Sequence, residues 1–106
     1  MKYYSFASLQ LTDDKWVADY VRDVTPMVER AGGQFLTRTP RIERLEGDGA
    51  TPHVLVLIEW PSREAAEAFY RSEEYAPYIR SRAESSRSEV LLFPGHDVMK
   101  VARVRE

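Results

Sequence analysis

The chain of 106 residues contains no cysteine and only two histidines, His53 and His96. The absence of cysteine excludes disulfides, thiolate metal sites and cysteine nucleophiles. The two histidines lie in unrelated segments, so they lack the spacing of a histidine metal site, and neither is a persuasive haem ligand. No glycine-rich phosphate loop is present. The sequence therefore predicts neither a bound cofactor nor a metal.

Basic charge and long apolar runs are also scarce. The formal net charge is −2, and the arginines are interspersed with glutamates, which argues against a nucleic-acid-binding surface. No apolar run approaches the roughly 20 residues that span a bilayer, and the N-terminus does not resemble a signal peptide. With 43% hydrophobic residues, we expect one globular cytoplasmic domain with neither nucleic-acid nor membrane partners.

The first half of the chain follows a strand–helix–strand pattern. Residues 3–11 alternate as a strand, and Thr12 or Asp13 is a candidate cap for the helix that follows. Pro26 should end or kink this helix, and Gly32-Gly33 should stop it. Residues 34–47 are strand-like but are broken by Pro40. The expected buried stripe of the helix comprises Trp16, Val17, Tyr20, Val21 and Val24.

The second half repeats this order. Residues 53–60 are apolar on both faces, which predicts a central strand. Ser62 should cap a helix that is interrupted near Pro77. A fourth strand, EVLLFPG, follows, and residues 98–104 alternate imperfectly as a possible fifth.

The order strand, helix, strand, strand, helix, strand predicts an α+β fold, a ferredoxin-like βαββαβ antiparallel sheet with both helices on one face. The other face of the sheet then needs a cover. In a chain this small, a second copy of the chain is the simplest cover, so we expect a homodimer.

Several segments resemble, in order, the bacterial family known as domain of unknown function 1330. They include AGGQFLTR, VLIEWPSREAAEAFYRSEEY, RSRAESS and VLLFPG. The resemblance covers residues 1–95, and residues 96–106 are expected to extend the same domain. It implies membership of the dimeric α/β-barrel superfamily, in which two ferredoxin-like sheets pack face to face. That superfamily includes polyketide cyclases, cofactor-free antibiotic monooxygenases and chlorite dismutase-like haem proteins, so fold kinship alone does not fix an activity.

Glu59 and Arg38 are the main candidate catalytic residues. The alternation of side chains along a strand places Glu59 on the same face as Leu55 and Leu57, at the end of a row of apolar side chains. Desolvation there would raise the pKa of Glu59 and suit it to proton transfer. Arg38 suits an oxyanion clamp and is the expected partner of Glu59. A structural ion pair between Glu59 and Arg38 or Arg82 at the end of the strand is the alternative reading of the same pattern.

The remaining candidates are less specific. His53 could serve as a general base, although a histidine at a turn is more often a solvated loop residue. Arg82 shares the two readings of Arg38. Several aromatic side chains, among them Tyr20, Tyr78 and Trp60, could line a pocket for a flat, oxygenated ring or could simply form core and interface.

Two functions are compatible with these residues. One is a small-molecule enzyme without a bound cofactor, such as an isomerase, cyclase or oxygenase of secondary or catabolic metabolism. The alternative is a non-catalytic dimer that binds a small acidic or aromatic ligand or stabilises a partner enzyme. A pocket that contains Glu59 and Arg38 unpaired, with room for a ring, would favour the enzyme.

Overall fold

A computed structural model of the protein describes residues 1–101. It contains four strands and four helices, whose order matches the predicted order up to the C-terminal segment. The elements are β1 (Tyr3–Leu11), α1 (Val17–Arg30), β2 (Gln34–Thr39), β3 (Val54–Trp60), α2 (Arg63–Tyr70), α3 (Ala76–Glu84), β4 (Ser86–Pro94) and α4 (Val98–Val101).

The four strands form one antiparallel sheet in the order β2-β3-β1-β4. The predicted α+β, ferredoxin-like fold is confirmed. One face of the sheet packs on the helices, with Trp60 of β3 in a buried cluster with Val24, Val28, Ala66 and Tyr75. The opposite face is called the outer face here. Its apolar side chains follow from the strand register and are Tyr4, Phe6, Leu55, Leu57, Leu91 and Phe93.

Helix α1 continues through Pro26, so the prediction that the helix could end there is wrong. Proline removes one backbone hydrogen bond and costs about 3 kcal/mol inside a helix. Val24 and Val28, on either side of Pro26, are 3% and 1% exposed, so both halves of the helix are anchored in the core. The predicted cap is also wrong. The helix begins after Trp16 with no side-chain cap, and the Asp13 carboxylate accepts from the Lys15 amide instead.

The Gly32-Gly33 corner ends α1 as predicted, and its two glycines have different roles. Gly32 adopts a φ of 94°, a left-handed value that favours glycine. Gly33 is required for close packing, because an added Cβ would lie 2.6 Å from Val28 Cγ1 and 2.9 Å from Trp60 Cζ3. The corner therefore turns the chain into β2 and also presses its backbone against the central tryptophan.

The second helical region is divided in two, as Pro77 suggested. Ser62 caps α2 by accepting a hydrogen bond from the Ala65 amide at 3.1 Å. Pro77 lies in the first turn of α3, where a missing amide hydrogen is tolerated. The break between α2 and α3 places Tyr75 in the core, where it is 6% exposed.

The edges of the sheet differ from the prediction. Strand β2 ends at Thr39, before Pro40, and its register shifts between Phe35 and Thr37. The bulge therefore lies at Leu36 and not at Pro40. The predicted fifth strand is wrong for residues 98–101, which form the short helix α4. The rest of that predicted strand lies outside the described residues.

Candidate ligand-binding pocket

A pocket of about 460 Å³ lies between the helix-packed face of the sheet and the helices. Most of its wall is apolar and comes from alternate residues of β1, β3 and β4 and from α1. Cavities of this size and character accommodate small organic molecules. Its polar side chains include Ser5, Tyr20, Arg38, Thr39, Glu67, Arg71, Tyr75 and Arg82.

Arg82 is the buried charge of this pocket. It lies in the last turn of α3 and is 6% exposed. Its Nη1 donates to Ser88 Oγ of β4 at 2.7 Å, whereas its Nη2 has no hydrogen-bond partner among residues 1–101. None of the ion pairs formed by the described residues includes Arg82. A guanidinium with an unused donor therefore lines the pocket without a carboxylate to balance its charge.

Two tyrosine hydroxyls surround this guanidinium. The hydroxyls of Tyr20 and Tyr75 are hydrogen-bonded to each other. Burial, reinforced by Tyr75, raises the pKa of the Tyr20 phenol, so the phenol stays protonated. Burial also acts to lower the pKa of Arg82, but the neighbouring Tyr75 and Tyr20 outweigh it and the pKa is raised. The cluster thus combines a fixed cation with the protonated Tyr20 phenol and the neighbouring Tyr75 hydroxyl.

Trp60 forms part of the apolar wall. Its indole is 2% exposed and its Nε1 donates to Ser5 Oγ of β1 at 3.0 Å. The ring centroid lies 5.4 Å from that of Phe69. Because its one polar group is satisfied, Trp60 supplies a rigid aromatic surface to the pocket and no free donor.

Arg38 also lines the pocket, at the opposite edge of the sheet. Its guanidinium carbon lies 3.8 Å from the centroid of the Phe35 ring, and Nη1 donates to Thr25 Oγ1 at 2.7 Å. The bulge at Leu36 places Phe35 and Arg38 on the same face, opposite Ile58 and Val56 of β3. Unlike Arg82, Arg38 is exposed.

The predicted pairing of Glu59 with Arg38 is wrong. Glu59 lies on the outer face, opposite Tyr4, and its carboxylate accepts from Lys2 Nζ at 2.7 Å and from Tyr4 Oη at 3.0 Å. Arg82, the other suggested partner, is on the opposite side of the sheet. The predicted pKa change is also reversed, because the hydrogen bonds from Lys2 and Tyr4 hold the pKa of Glu59 below its ordinary value. Glu59 does not line the pocket.

Two more predicted site residues lie outside the pocket lining. His53 is at the start of β3, where its Nδ1 accepts the Leu11 amide at 2.7 Å. Tyr78 donates to Asp23 Oδ2 at 3.0 Å, and its ring packs edge-on against that of Tyr20. Of the seven predicted site residues, Arg38, Arg82, Tyr20 and Trp60 share the pocket.

Sequence reasoning missed Tyr75 and Ser88 as polar contacts of the site. Period two along β4 could have placed Ser88 with Val90 and Leu92 on the helix-packed face. No comparable signal marks Tyr75, whose position depends on the turn between α2 and α3. Within residues 1–101, no three histidine or acidic side chains are grouped to hold a metal ion. No helix in that range has the length and apolar character needed to cross a bilayer.

The fold is shared with several solved structures. A protein of unknown function from Rhodopseudomonas palustris superposes with a TM-score of 0.76 at 18% identity, over 91% of this chain and 83% of that one. A variant of SnoaB, a cofactor-independent oxygenase from Streptomyces nogalater, superposes with a TM-score of 0.66 at 14% identity, over 91% and 94%. A dimeric ferredoxin-like protein of unknown function from Jannaschia sp. gives 0.63 at 11% identity, over 89% and 99%.

No protein with a curated description matches the chain in sequence. The family model described as domain of unknown function (DUF1330) matches residues 2–96, which is nearly the whole chain. The predicted resemblance is confirmed, and the chain belongs to this family.

Proposed function

We propose that the protein is a small-molecule enzyme that acts, without a bound cofactor, on a largely apolar organic compound with an ionised oxygen. The observation that supports the proposal is the buried Arg82 guanidinium, which has an unused Nη2 donor and no carboxylate partner among the described residues. An uncompensated buried charge costs several kcal/mol. An anionic ligand in the pocket would balance that charge.

The chemistry of the lining favours stabilisation of an oxyanion over general-base catalysis. Among residues 1–101 the lining includes no imidazole, and its carboxylate, Glu67, is paired with Arg63 at 2.7 Å. Tyr20 remains protonated, and its hydroxyl and that of Tyr75 are polar neighbours of the charge. A substrate that is itself acidic, such as a phenol or a 1,3-dicarbonyl compound, would lose its own proton to solvent as Arg82 stabilises the enolate oxygen.

An enolate or phenolate held in this way is the reactive form for isomerisation, ring closure or reaction with molecular oxygen. The fold shared with SnoaB, described as a cofactor-independent oxygenase, agrees with the last of these but does not select it. The walls around the anion, including Trp60 and Val24, are apolar and lower the local dielectric constant, which strengthens the electrostatic stabilisation.

Ligand binding provides the first test. We expect 1-hydroxy-2-naphthaldehyde and 2-naphthoate to quench tryptophan fluorescence on binding to the wild type, and Arg82→Met to weaken their binding by about tenfold or more, the loss of one charge-assisted hydrogen bond. Arg80→Met is the matched control, because Arg80 is an exposed arginine on the same helix. Equal affinities of Arg82→Met and the wild type would refute the proposal.

A second candidate function is ligand binding without turnover. It is favoured by the lack of a free carboxylate or imidazole in the described lining. Incubation of the protein with acidic phenols and 1,3-diketones under air distinguishes the two. Product formation that is lost in Arg82→Met supports the enzyme, and tight binding with unchanged ligands supports the binding protein.

We also propose that two copies associate through the outer face. Leu91 and Phe93 on this face are 56% and 42% exposed, and they continue an apolar surface with Phe6 and Leu57. An apolar sheet face of this kind is an association site, and a twofold pairing buries the same patch on both copies. The Jannaschia protein with this fold is described as dimeric, which agrees with the proposal.

A further inference from the structure

The pocket has a cationic group at each of its two lateral ends. Arg82 reaches Ser88 of β4, and Arg38 lies on β2. These are the two edge strands of the sheet. Three gaps of about 4.8 Å separate the edge strands, which gives about 14 Å between their backbones. The two guanidinium groups therefore approach the pocket from opposite edges of the sheet, on the same face.

The register places both groups over the same part of the sheet. Arg38 is opposite Val56, and Val56 is opposite Ala7 of β1, which in turn is opposite Val90 of β4. Ser88, the partner of Arg82, is two residues from Val90 along β4. Between the two arginines, the floor of the pocket consists of the small and apolar side chains of Ala7, Leu9, Val54, Val56 and Val90.

Arg38 is positioned to bind an anion. Its guanidinium is held by the Phe35 ring and by the single hydrogen bond to Thr25 Oγ1, and no carboxylate among residues 1–101 pairs with it. A guanidinium fork stacked on an aromatic ring keeps several donors available for a carboxylate. The third arginine of the lining, Arg71, differs, because the Glu67 carboxylate lies 4.0 Å from its Nη1.

Resting on the proposed function, we infer that the substrate is elongated and has a second acidic group. One ionised oxygen binds Arg82 in the interior, the apolar body lies across the central strands, and a carboxylate at the far end binds Arg38 at the rim. Arg38 would then select compounds that are acidic at both ends over compounds that are acidic at one end only. Arg82 accounts for the binding of an anion, and Arg38 accounts for the length of the ligand.

The test compares rigid acids that differ in the number and placement of carboxylates. The probes are 2-naphthoate, naphthalene-2,6-dicarboxylate and naphthalene-2,3-dicarboxylate, with affinities measured by calorimetry. The 2,3-isomer has the same charge as the 2,6-isomer, but its carboxylates are adjacent and cannot reach both arginines. We expect the wild type to prefer the 2,6-diacid over both other probes by about fivefold, as for an exposed ion pair of about 1 kcal/mol.

The variants assign this preference to a residue. Arg38→Gln should bind all three probes with similar affinity, whereas Arg71→Gln should keep the preference for the 2,6-diacid. Equal affinity of the wild type for the 2,6- and 2,3-diacids, or a preference that survives in Arg38→Gln, would overturn the assignment of Arg38. Arg82→Met separates the two proposals, because it should weaken all three probes. If no naphthalene acid binds the wild type, the proposed function fails together with this inference.

Discussion

The side chain of Arg82 connects the end of α3 to β4 through a hydrogen bond of 2.7 Å from its Nη1 to the hydroxyl of Ser88. This bond uses one end of the guanidinium fork, and the other end, Nη2, has no hydrogen-bond partner among residues 1–101. The hydrogen bond to Ser88 thereby holds the Arg82 side chain in position in the absence of a ligand. Fixed donors of this kind stabilise a developing anion without reorganisation.

The buried charge predicts a trade-off between stability and binding. Replacement of Arg82 with methionine removes a buried cation that has no carboxylate partner among residues 1–101 and keeps most of the buried volume. Replacing a buried ion pair with apolar groups of similar volume is often stabilising by about 1–4 kcal/mol, and we expect about 1 kcal/mol for this single charge. We expect the Tm of Arg82→Met to rise by about 4–8 °C while anion binding is lost. A Tm well below that of the wild type in calorimetry would mean that the guanidinium has a structural role.

The contacts of Glu59 predict a pH-dependent contribution to stability. Because the pKa of Glu59 in the folded protein lies below its ordinary value of 4.5, the ionised carboxylate stabilises the fold at neutral pH. That contribution is lost as the pH falls through the folded-state pKa. We therefore expect Glu59→Gln to be less stable than the wild type at neutral pH, and the difference to disappear below pH 4.5.

Urea denaturation at a series of pH values measures this difference. The Lys2→Met variant provides the control, since Lys2 is the first hydrogen-bond donor to the carboxylate. In the Lys2→Met background, Glu59→Gln should have a smaller effect. An effect of Glu59→Gln that is the same at acidic and neutral pH would contradict the assigned role of the Lys2 and Tyr4 contacts.

The close packing at the Gly32-Gly33 corner predicts a large effect of a single methyl group. In Gly33→Ala the new Cβ would clash with Val28 and Trp60, and overpacking a dense core costs about 1–3 kcal/mol. Gly49→Ala is the matched control, because no atom lies within 4 Å of a Cβ at that position. Urea denaturation should show a lower midpoint for Gly33→Ala only. Equal midpoints for the two variants would show that the corner relaxes freely.

The outer face predicts the assembly state. Light scattering should give twice the chain mass of 12.3 kDa for the wild type and a single chain mass for Leu91→Glu, because a buried, unpaired carboxylate opposes association. Leu45→Glu alters a side chain that is 93% exposed and away from the strands, and it should remain dimeric. A wild type of single mass at micromolar concentration would contradict the proposed dimer.

The order of the elements was predictable because each boundary has a local cause. Ser62 caps α2, Gly32 supplies a positive φ, and the alternation of β1 is visible in its side chains. The effect of Pro26 was wrongly predicted because the hydrogen bond that proline removes is a local cost. The burial of Val24 and Val28 that compensates for this cost depends on the tertiary structure. Propensity alone cannot weigh a broken hydrogen bond against packing that is not yet known.

The site was only partly predictable for a similar reason. Period two correctly separated Glu59 from Trp60, but β3 is apolar on both faces, so its sequence does not reveal which face meets the helices. The bulge at Leu36 places Arg38 on the opposite face from the one that strict alternation along β2 would give, and no residue type in the sequence indicates that bulge. Arg82 and Arg80 look equivalent in the sequence, and only the path of α3 makes one of them buried and the other exposed.

The two edges of the sheet are unequally protected against strand addition. Edge β2 is interrupted by its bulge and ends beside Pro40, both of which discourage pairing with another chain. Edge β4 presents the consecutive, exposed apolar residues 90–93, with a proline only at its end. A chain with one edge strand that can pair will join a second copy through that edge. No further copy can then add there, because the pairing covers both edges. Strand addition through β4 alone would therefore stop at pairs of chains, whereas a dimer formed through the outer face would still carry two β4 edges.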